Sequence, residues 1–304
     1  MNKLLKWLGI VAVVVVALVV ICVGAVFAIS ARRINRTWPP TDIRPVTIPH
    51  DSAAIARGGH LAEAVTKCVH CHGDDLSGTM FINDPAFGQI PAPNLTRGKG
   101  GRGTTYGDQD FVRLLRRGIK PDGHAAVIMP SDAYQFLGDA DLGAIIAWVR
   151  SARPVEHEWP APKFGPVFRM LVAFGVPFFP AERIAAGNLT PAQPPAPGPT
   201  PEYGRYLAQI GGCSFCHNPA FSGGKIVGVD PKSPPAANLT PGGIGGWTEA
   251  DFVKVLRTGK RYGDNAPINN DFMPWIQAGH MTDEEIHAVW LYLQSLPAKE
   301  FGQR

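Results

Sequence analysis

Residues 67–78 read KCVHCHGDDLSG, and residues 212–223 read GCSFCHNPAFSG. Each stretch holds two cysteines three positions apart with a histidine directly after the second: Cys68, Cys71 and His72, then Cys213, Cys216 and His217. On a helix, residues three apart share a face. Such a pair serves as a zinc clamp, as a redox disulfide, or as the attachment point of haem c. In the last case both thiols add to porphyrin vinyl groups and the adjoining imidazole becomes an axial ligand of iron. C-x-x-C-H is the signal for that attachment. A zinc site would have to draw Cys68, Cys71, Cys213 and Cys216 together from distant copies, whereas zinc ligand pairs usually lie much closer in sequence.

Working outward from the cysteines, the chain repeats itself. Gly58-Gly-His-Leu-Ala62 answers Gly204-Arg-Tyr-Leu-Ala208, and Asn94-Leu-Thr96 answers Asn238-Leu-Thr240. DQDFVRLLRRGIKPDG from Asp108 answers EADFVKVLRTGKRYGD from Glu249, and a Met-Pro pair follows in each copy. Self-similarity at a nearly fixed offset is the mark of duplication. Met129 lies 57 residues after His72 and Met273 lies 56 after His217. Haem iron with one imidazole ligand still has a face to fill, and methionine is a recurrent choice in electron carriers. The expected iron ligands are therefore His72 with Met129 and His217 with Met273.

Rival sixth ligands are His124 and His280, each near a Met-Pro pair but without a counterpart in the other copy. Met80, Met170 and Met281 read as core filler. His50, His60, His70, His157 and His287 read as solvated or packing residues. Pro91 and Pro235, each three before an Asn-Leu-Thr, are candidates to present the carbonyl that orients the axial imidazole, with an ordinary loop proline as the alternative.

The secondary-structure signals are helical. The pattern predicts one helix over residues 58–72, helices over 110–117 and 251–257 that stop before a glycine, and a last helix opened by a Thr282/Glu285 capping box. Its apolar face is Ile286, Val289, Trp290 and Leu293. Strand signals are weak throughout. Between the copies, PAQPPAPGPTP (residues 191–201) reads as a stiff extended linker. KFGPVFRMLVAFGVPFFP (163–180) is apolar enough to pack on a domain, with a membrane or partner surface as the other use.

Charge and the N-terminus bound the rest. Residues 1–49 carry six Lys or Arg against one acid, whereas 50–155 carry 11 against 11 and 199–304 carry 9 against 10. The basic excess sits at the N-terminus, so no basic face remains to track a phosphate backbone, and nucleic acid is not an expected partner. The opening segment between Lys6 and Arg32 is long and apolar enough to span a bilayer. A retained anchor is expected, a signal peptide cut near Ala28-x-Ser30 being the alternative. Basic residues on both sides leave the orientation open. Cys22 falls inside this span and reads as a small apolar residue.

On GRYLA, C-x-x-C-H, NLT, DFVKVLRTG, MP and the aromatic FGVPFFP linker, residues 55–298 resemble tandem class I cytochrome c domains. They are similar to the multi-haem cytochrome c subunits of membrane-bound alcohol and gluconate dehydrogenases. With the apolar opening segment read as an N-terminal transmembrane helix (1–36), the resemblance implies an all-α fold of two tandem class I cytochrome c domains. These would span residues 50–155 and 199–304, joined by a proline-rich linker with an apolar segment (156–198). The two C-x-x-C-H motifs imply two covalently bound haem c groups.

The expected function is a non-enzymatic one: relay of single electrons on the periplasmic side of a bacterial inner membrane, where haem attachment to such motifs occurs. Its redox partners would be a dehydrogenase, a quinol-oxidising complex, an oxidase or a photosynthetic centre. The rival is a dihaem enzyme of the peroxidase or sulfur-compound dehydrogenase type, which needs a vacant sixth position with acid/base groups over it. A haem sensor is a further alternative, without an accompanying signalling domain.

Overall fold

The computed structural model describes residues 3–39, 43–184, 193–226 and 233–304. The start of the proline-rich stretch 191–201 lies outside the described residues.

Helix α1 (Lys3–Ile34) runs for 32 residues, free of proline. Its side chains are exposed almost throughout, and only Ser30 near its end is buried. Arg32 and Arg33 close its last turn, where positive charge complements the helix dipole.

The first half then builds α2 (Ser52–His60), capped by the Asp51 carboxylate on the Ala54 amide at 2.8 Å. A π-helical turn (Leu61–Val65) and α3 (Cys68–His72) follow. After them come strands β1 (Thr79–Asp84) and β2 (Gly88–Ala92) and helices α4 (Arg102–Thr105), α5 (Asp108–Arg117), α6 (Ser131–Tyr134) and α7 (Asp139–Ser151). The connecting segment contributes β3 (Lys163–Phe164), α8 (Pro166–Ala173) and α9 (Pro180–Arg183). The second half is α10 (Pro201–Ile210), α11 (Cys213–His217), α12 (Pro241–Ile244), α13 (Glu249–Thr258), α14 (Trp275–Ala278) and α15 (Asp283–Gln294).

In both halves the first and last helices cross so closely that only glycine fits. A Cβ on Gly58 would stand 1.9 Å from the Ala144 carbonyl oxygen, and one on Gly204 would stand 1.9 Å from that of Ala288. The sequence pair GRYLA and GGHLA is thus the trace of two α2–α7 and α10–α15 crossings. The predicted stops hold: Gly118 and Gly259 adopt left-handed φ of 66° and 61° just past α5 and α13. The Thr282/Glu285 capping box opens α15 as expected.

Two expectations need correction. The helix predicted over 58–72 is broken: the Thr66 amide bonds the Leu61 carbonyl in a π turn, and Lys67 turns left-handed at φ 56° before α3 starts. Gly212 takes the same conformation before α11 at φ 69°. The left-handed residue re-aims the chain so that the cysteine helix begins afresh. The fold is mainly helical but also carries a small antiparallel sheet in the order β1-β2-β3. β3 reaches it from the connecting segment, Phe164 opposite Gly88 and Lys163 opposite Gln89. That segment packs on the first half as expected. Phe168 is fully buried among Phe87, Phe164 and Phe178, with ring centroids 4.5–5.3 Å away.

The two halves share one continuous core, in which Leu61 and Val65 belong to the same cluster as Leu207 and Ile210. α14 packs on the π turn of the first half, and α6 on α10 of the second, so each half's helix after its Met-Pro pair leans on the other half's opening helix.

Candidate haem centres

The cysteines of α3 and α11 are all unpaired. Burial raises each thiol, and the neighbouring Cys68 adds to the effect on Cys71, which is pushed up to about 12. A reactive dithiol needs a thiolate near neutral pH, and zinc needs deprotonated ligands. Among the described residues, no three His, Cys, Asp or Glu come together to hold a metal ion. The four-cysteine zinc reading therefore finds no assembled ligand set among the described residues.

The histidines are built as axial ligands require. Nδ1 of His72 lies 2.8 Å from the Pro93 carbonyl oxygen, and Nδ1 of His217 lies 2.8 Å from that of Ala237. A carbonyl only accepts, so Nδ1 carries the proton and Nε2 keeps its lone pair. Burial lowers both imidazoles, which favours this neutral form. The orienting carbonyl is not that of Pro91 or Pro235 but sits two residues further on in both copies. Ala237 shows why the proline criterion failed: the backbone oxygen is what counts, and no ring is needed.

What fixes that oxygen is the Asn-Leu-Thr motif directly after it. Asn94 Nδ2 donates to the Val155 and His157 carbonyls at 2.7 and 3.1 Å, and Asn238 Nδ2 donates to the Lys299 carbonyl at 2.8 Å. Thr96 and Thr240 hydroxyls donate to the Asn Oδ1 atoms at 2.8 Å. The amides of Leu95 and Leu239 bond the Leu76 and Phe221 carbonyls, both at 2.8 Å. Leu76 and Phe221 are themselves left-handed, at φ 59° and 60°. In the sequence Asn-Leu-Thr reads as a repeat marker and as part of the family resemblance; its identity in both copies is the available sign of a structural task.

Met129 and Met273 are half-buried against the shared core. Ile128, just before Met129, is left-handed at φ 65°. Five residues after Met129, buried Tyr134 donates to the Thr66 carbonyl at 2.7 Å beside the Cys68 and Cys71 thiols. The segment after Met129 is thereby tied to the cysteine motif. The rival ligands stay near the surface: His280 is exposed, and His124 is held by a bridge to Thr37 and lies 3.4 Å from an Asp122 oxygen. Met281 is core filler as expected, but Met170 is exposed.

Between the two halves lies a polar network that sequence reading missed. Arg57 donates to Glu285 at 3.1 Å, to Asp141 at 3.3 Å and to the Tyr203 hydroxyl at 2.8 Å. His60 Nε2 lies 2.6 Å from Glu285, so of the two expected roles His60 takes packing, across the interface between the halves. Tyr206 donates to Asp141 at 2.7 Å. Arg57 and His60 occupy the positions on α2 that Tyr203 and Tyr206 occupy on α10, and Asp141 and Glu285 are the third residues of α7 and α15. The interface is thus nearly two-fold, ionic on one side and phenolic on the other.

Burial alone would raise the Glu285 carboxyl. Hydrogen bonds from His60 and Thr282 and the charges of His60 and Arg57 outweigh it and hold the group below the usual glutamate range. A depressed carboxyl stabilises the fold fully above its unfolded pKa, about 4.3, and loses that contribution as pH falls through the folded value. Glu285→Gln is therefore expected to lower the unfolding temperature at pH 7 and to match the parent chain in strongly acidic buffer. Thermal unfolding of both proteins from neutral to acid pH checks this.

Lys67 adds the closest link. Its buried Nζ donates to the Val65 carbonyl at 2.8 Å and to the Gly211 carbonyl at 2.9 Å, joining the residue before Cys68 to the residue two before Cys213. These bonds offset a left-handed backbone that costs a non-glycine residue roughly 1–2 kcal/mol. Lys67→Met keeps the strain and strands two carbonyls, and is expected to cost about 1–3 kcal/mol. Lys67→Gly relieves the strain and is expected to cost less, with denaturant unfolding as the measurement.

Comparison with known proteins agrees with this duplicated geometry. Residues 55–153 and 202–297 match the family described as Cytochrome c, together more than half of the chain. The fructose dehydrogenase cytochrome subunit of Gluconobacter japonicus is 30% identical over 289 residues, covering 87% of this chain and 57% of that subunit. The cytochrome c subunit of alcohol dehydrogenase (quinone) from Gluconobacter oxydans (strain 621H) is 27% identical over 279 residues, 83% of this chain and 57% of its own length. The gluconate 2-dehydrogenase cytochrome c subunit of Pantoea cypripedii is 27% identical over 291 residues, 83% of this chain and 62% of its own length. The chain thus spans about three-fifths of the length of these curated relatives. With two matched segments, each centred on a C-x-x-C-H helix whose histidine is oriented by a backbone carbonyl, the chain belongs to the cytochrome c family, whose domains bind haem covalently and transfer electrons.

Proposed function

We propose that the chain is a membrane-anchored dihaem cytochrome c that relays single electrons between redox proteins and is not itself an enzyme. The observation that carries this reading is the pair of 2.8 Å bonds from His72 to Pro93 and from His217 to Ala237. Each presents a neutral imidazole nitrogen beside two free thiols. Cys68 and Cys71 would attach one haem, whose iron His72 and Met129 would hold. Cys213, Cys216, His217 and Met273 would serve the other. Bound haem supplies a one-electron couple, and the protein supplies burial, axial ligands and placement. A methionine ligand beside the histidine would leave no open position for substrate and would raise the potential.

Helix α1 is long and apolar enough to cross a membrane, which supports an anchor in a bacterial inner membrane with the haem domains on the periplasmic side. The named relatives are cytochrome subunits of dehydrogenases, which supports a dehydrogenase as electron donor. The two halves share one core, and Lys67 bonds across it, so the two attachment motifs are held in a fixed relation to each other.

The test is spectroscopic. Purified protein is expected to hold two haems per chain that survive acid extraction, with a methionine-to-iron charge-transfer band for both. A high-spin centre that binds carbon monoxide in the as-purified reduced protein would point to the enzyme reading instead. One haem per chain would reduce the relay to a single station.

A further inference from the structure

α8 is apolar on both faces. Phe168 and Val172 are fully buried, whereas Val167, Met170 and Phe174, spaced three and four residues apart on the opposite side, are exposed, Phe174 at 77%. Apart from Arg169, α8 is apolar, so a single buried face leaves apolar side chains uncovered, and clustered exposed apolar side chains mark contact with protein or membrane.

The position of α8 says which. The Arg169 guanidinium lies 5.3 Å over the Phe27 ring, and its Nη1 reaches the Ser30 hydroxyl at 3.4 Å. Arg33 donates to the Val172 carbonyl and to Glu182 of α9, the latter from Nε at 3.2 Å. α8 is therefore fastened to α1 between Phe27 and Arg33. A bilayer's apolar layer, about 30 Å thick, takes about 20 helical residues. Counted from Trp7, the first residue after the last N-terminal charge, the crossing ends at Val26. The attachment of α8 begins at the next residue, where α1 leaves the apolar layer. Charges gather at the same level, with Arg32 exposed and Arg33 and Arg169 partly so.

We infer that α8 is an interfacial membrane helix. It rests on the reading of α1 as a membrane span, and its occupant is the lipid bilayer. Val167, Met170 and Phe174 enter the boundary between headgroups and acyl chains beside α1, and Arg32 and Arg169 meet lipid phosphates, the arrangement of an amphipathic surface anchor. A lone span leaves the domains free to swing about it; a second contact sets the height and tilt of the first half above the membrane.

Photocrosslinking in intact membranes tests the inference on the full chain. p-Benzoylphenylalanine replaces Phe174, Met170, Val16 within the span, or exposed Glu300, and after irradiation the modified peptides are weighed. Phospholipid adducts are expected at 174, 170 and 16, with yields at 174 severalfold above that at 300. Adducts of 174 and 170 with a polypeptide, or no adduct at either, while 16 still captures lipid, would overturn it and assign the face to a protein partner or to water. No lipid at 16 would overturn it together with the anchorage of α1. Covalent haem staining of the same samples reports separately on the haem reading.

Discussion

Met273→Ala is expected to lower the midpoint potential of one haem by on the order of 0.1 V, a fraction of the about 0.8 V over which axial ligands set haem potentials, and to leave the other nearly unchanged. Soft, neutral thioether sulfur favours ferrous iron, and an alanine methyl cannot replace it. The variant is also expected to lose half of the methionine-to-iron charge-transfer absorption and to bind carbon monoxide at one centre when reduced. Met129→Ala is expected to do the same at the other centre. A redox titration with unchanged midpoints would move the ligand elsewhere. His280, the nearby alternative in the second half, is exposed and has no counterpart after Met129.

Gly204→Val is expected to remove the second half's fold and with it one haem per chain. The added Cβ would stand 1.9 Å from the Ala288 carbonyl oxygen, with backbone on both sides. Neither neighbour is a flexible side chain that can step aside, so α10 and α15 must separate. Overpacking typically costs about 1–3 kcal/mol, and two rigid helices put this site at or beyond the upper end. Separation also disturbs Tyr203 and Tyr206 on α10 and Glu285 on α15, so the damage reaches the inter-domain network. Gly58→Val meets the Ala144 carbonyl oxygen at the same 1.9 Å and is expected to behave alike. Gly246→Ala is the control, since nothing lies within 4 Å of a Cβ there. Holoprotein yield, haem content and unfolding temperature read the outcome. A Gly204→Val chain with full haem content and parental stability would refute the crossing.

Much of the second half's helical frame was legible because its signals are local. Gly259 stops α13, and Thr282 with Glu285 opens α15, each within one turn of the residues it serves. The attachment motifs were legible for the same reason. The sheet was not, because β3 arrives from more than seventy residues away and lends β2 only two partners. Nor was the break at Lys67: its backbone conformation belongs to glycine in the other copy, and the bonds that compensate come partly from residue 211. The orienting carbonyls were sought on prolines and found two residues later, on the atoms that Asn94 and Asn238 hold in place. The network between the halves was hidden by the comparison that exposed the duplication, since Arg57 against Tyr203 and His60 against Tyr206 look like simple divergence.

That divergence makes the two halves non-interchangeable. Two copies of the first would bring guanidinium and imidazole against aspartate twice over and leave no phenol to accept from the Gly138 amide, as the Tyr206 hydroxyl does at 3.2 Å. Two copies of the second would set a pair of glutamates among four tyrosines with no cation between them. Each half has become the other's obligate complement, so the order of the tandem is written into its seam, and a chimera assembled from a doubled half should come apart where the natural chain holds.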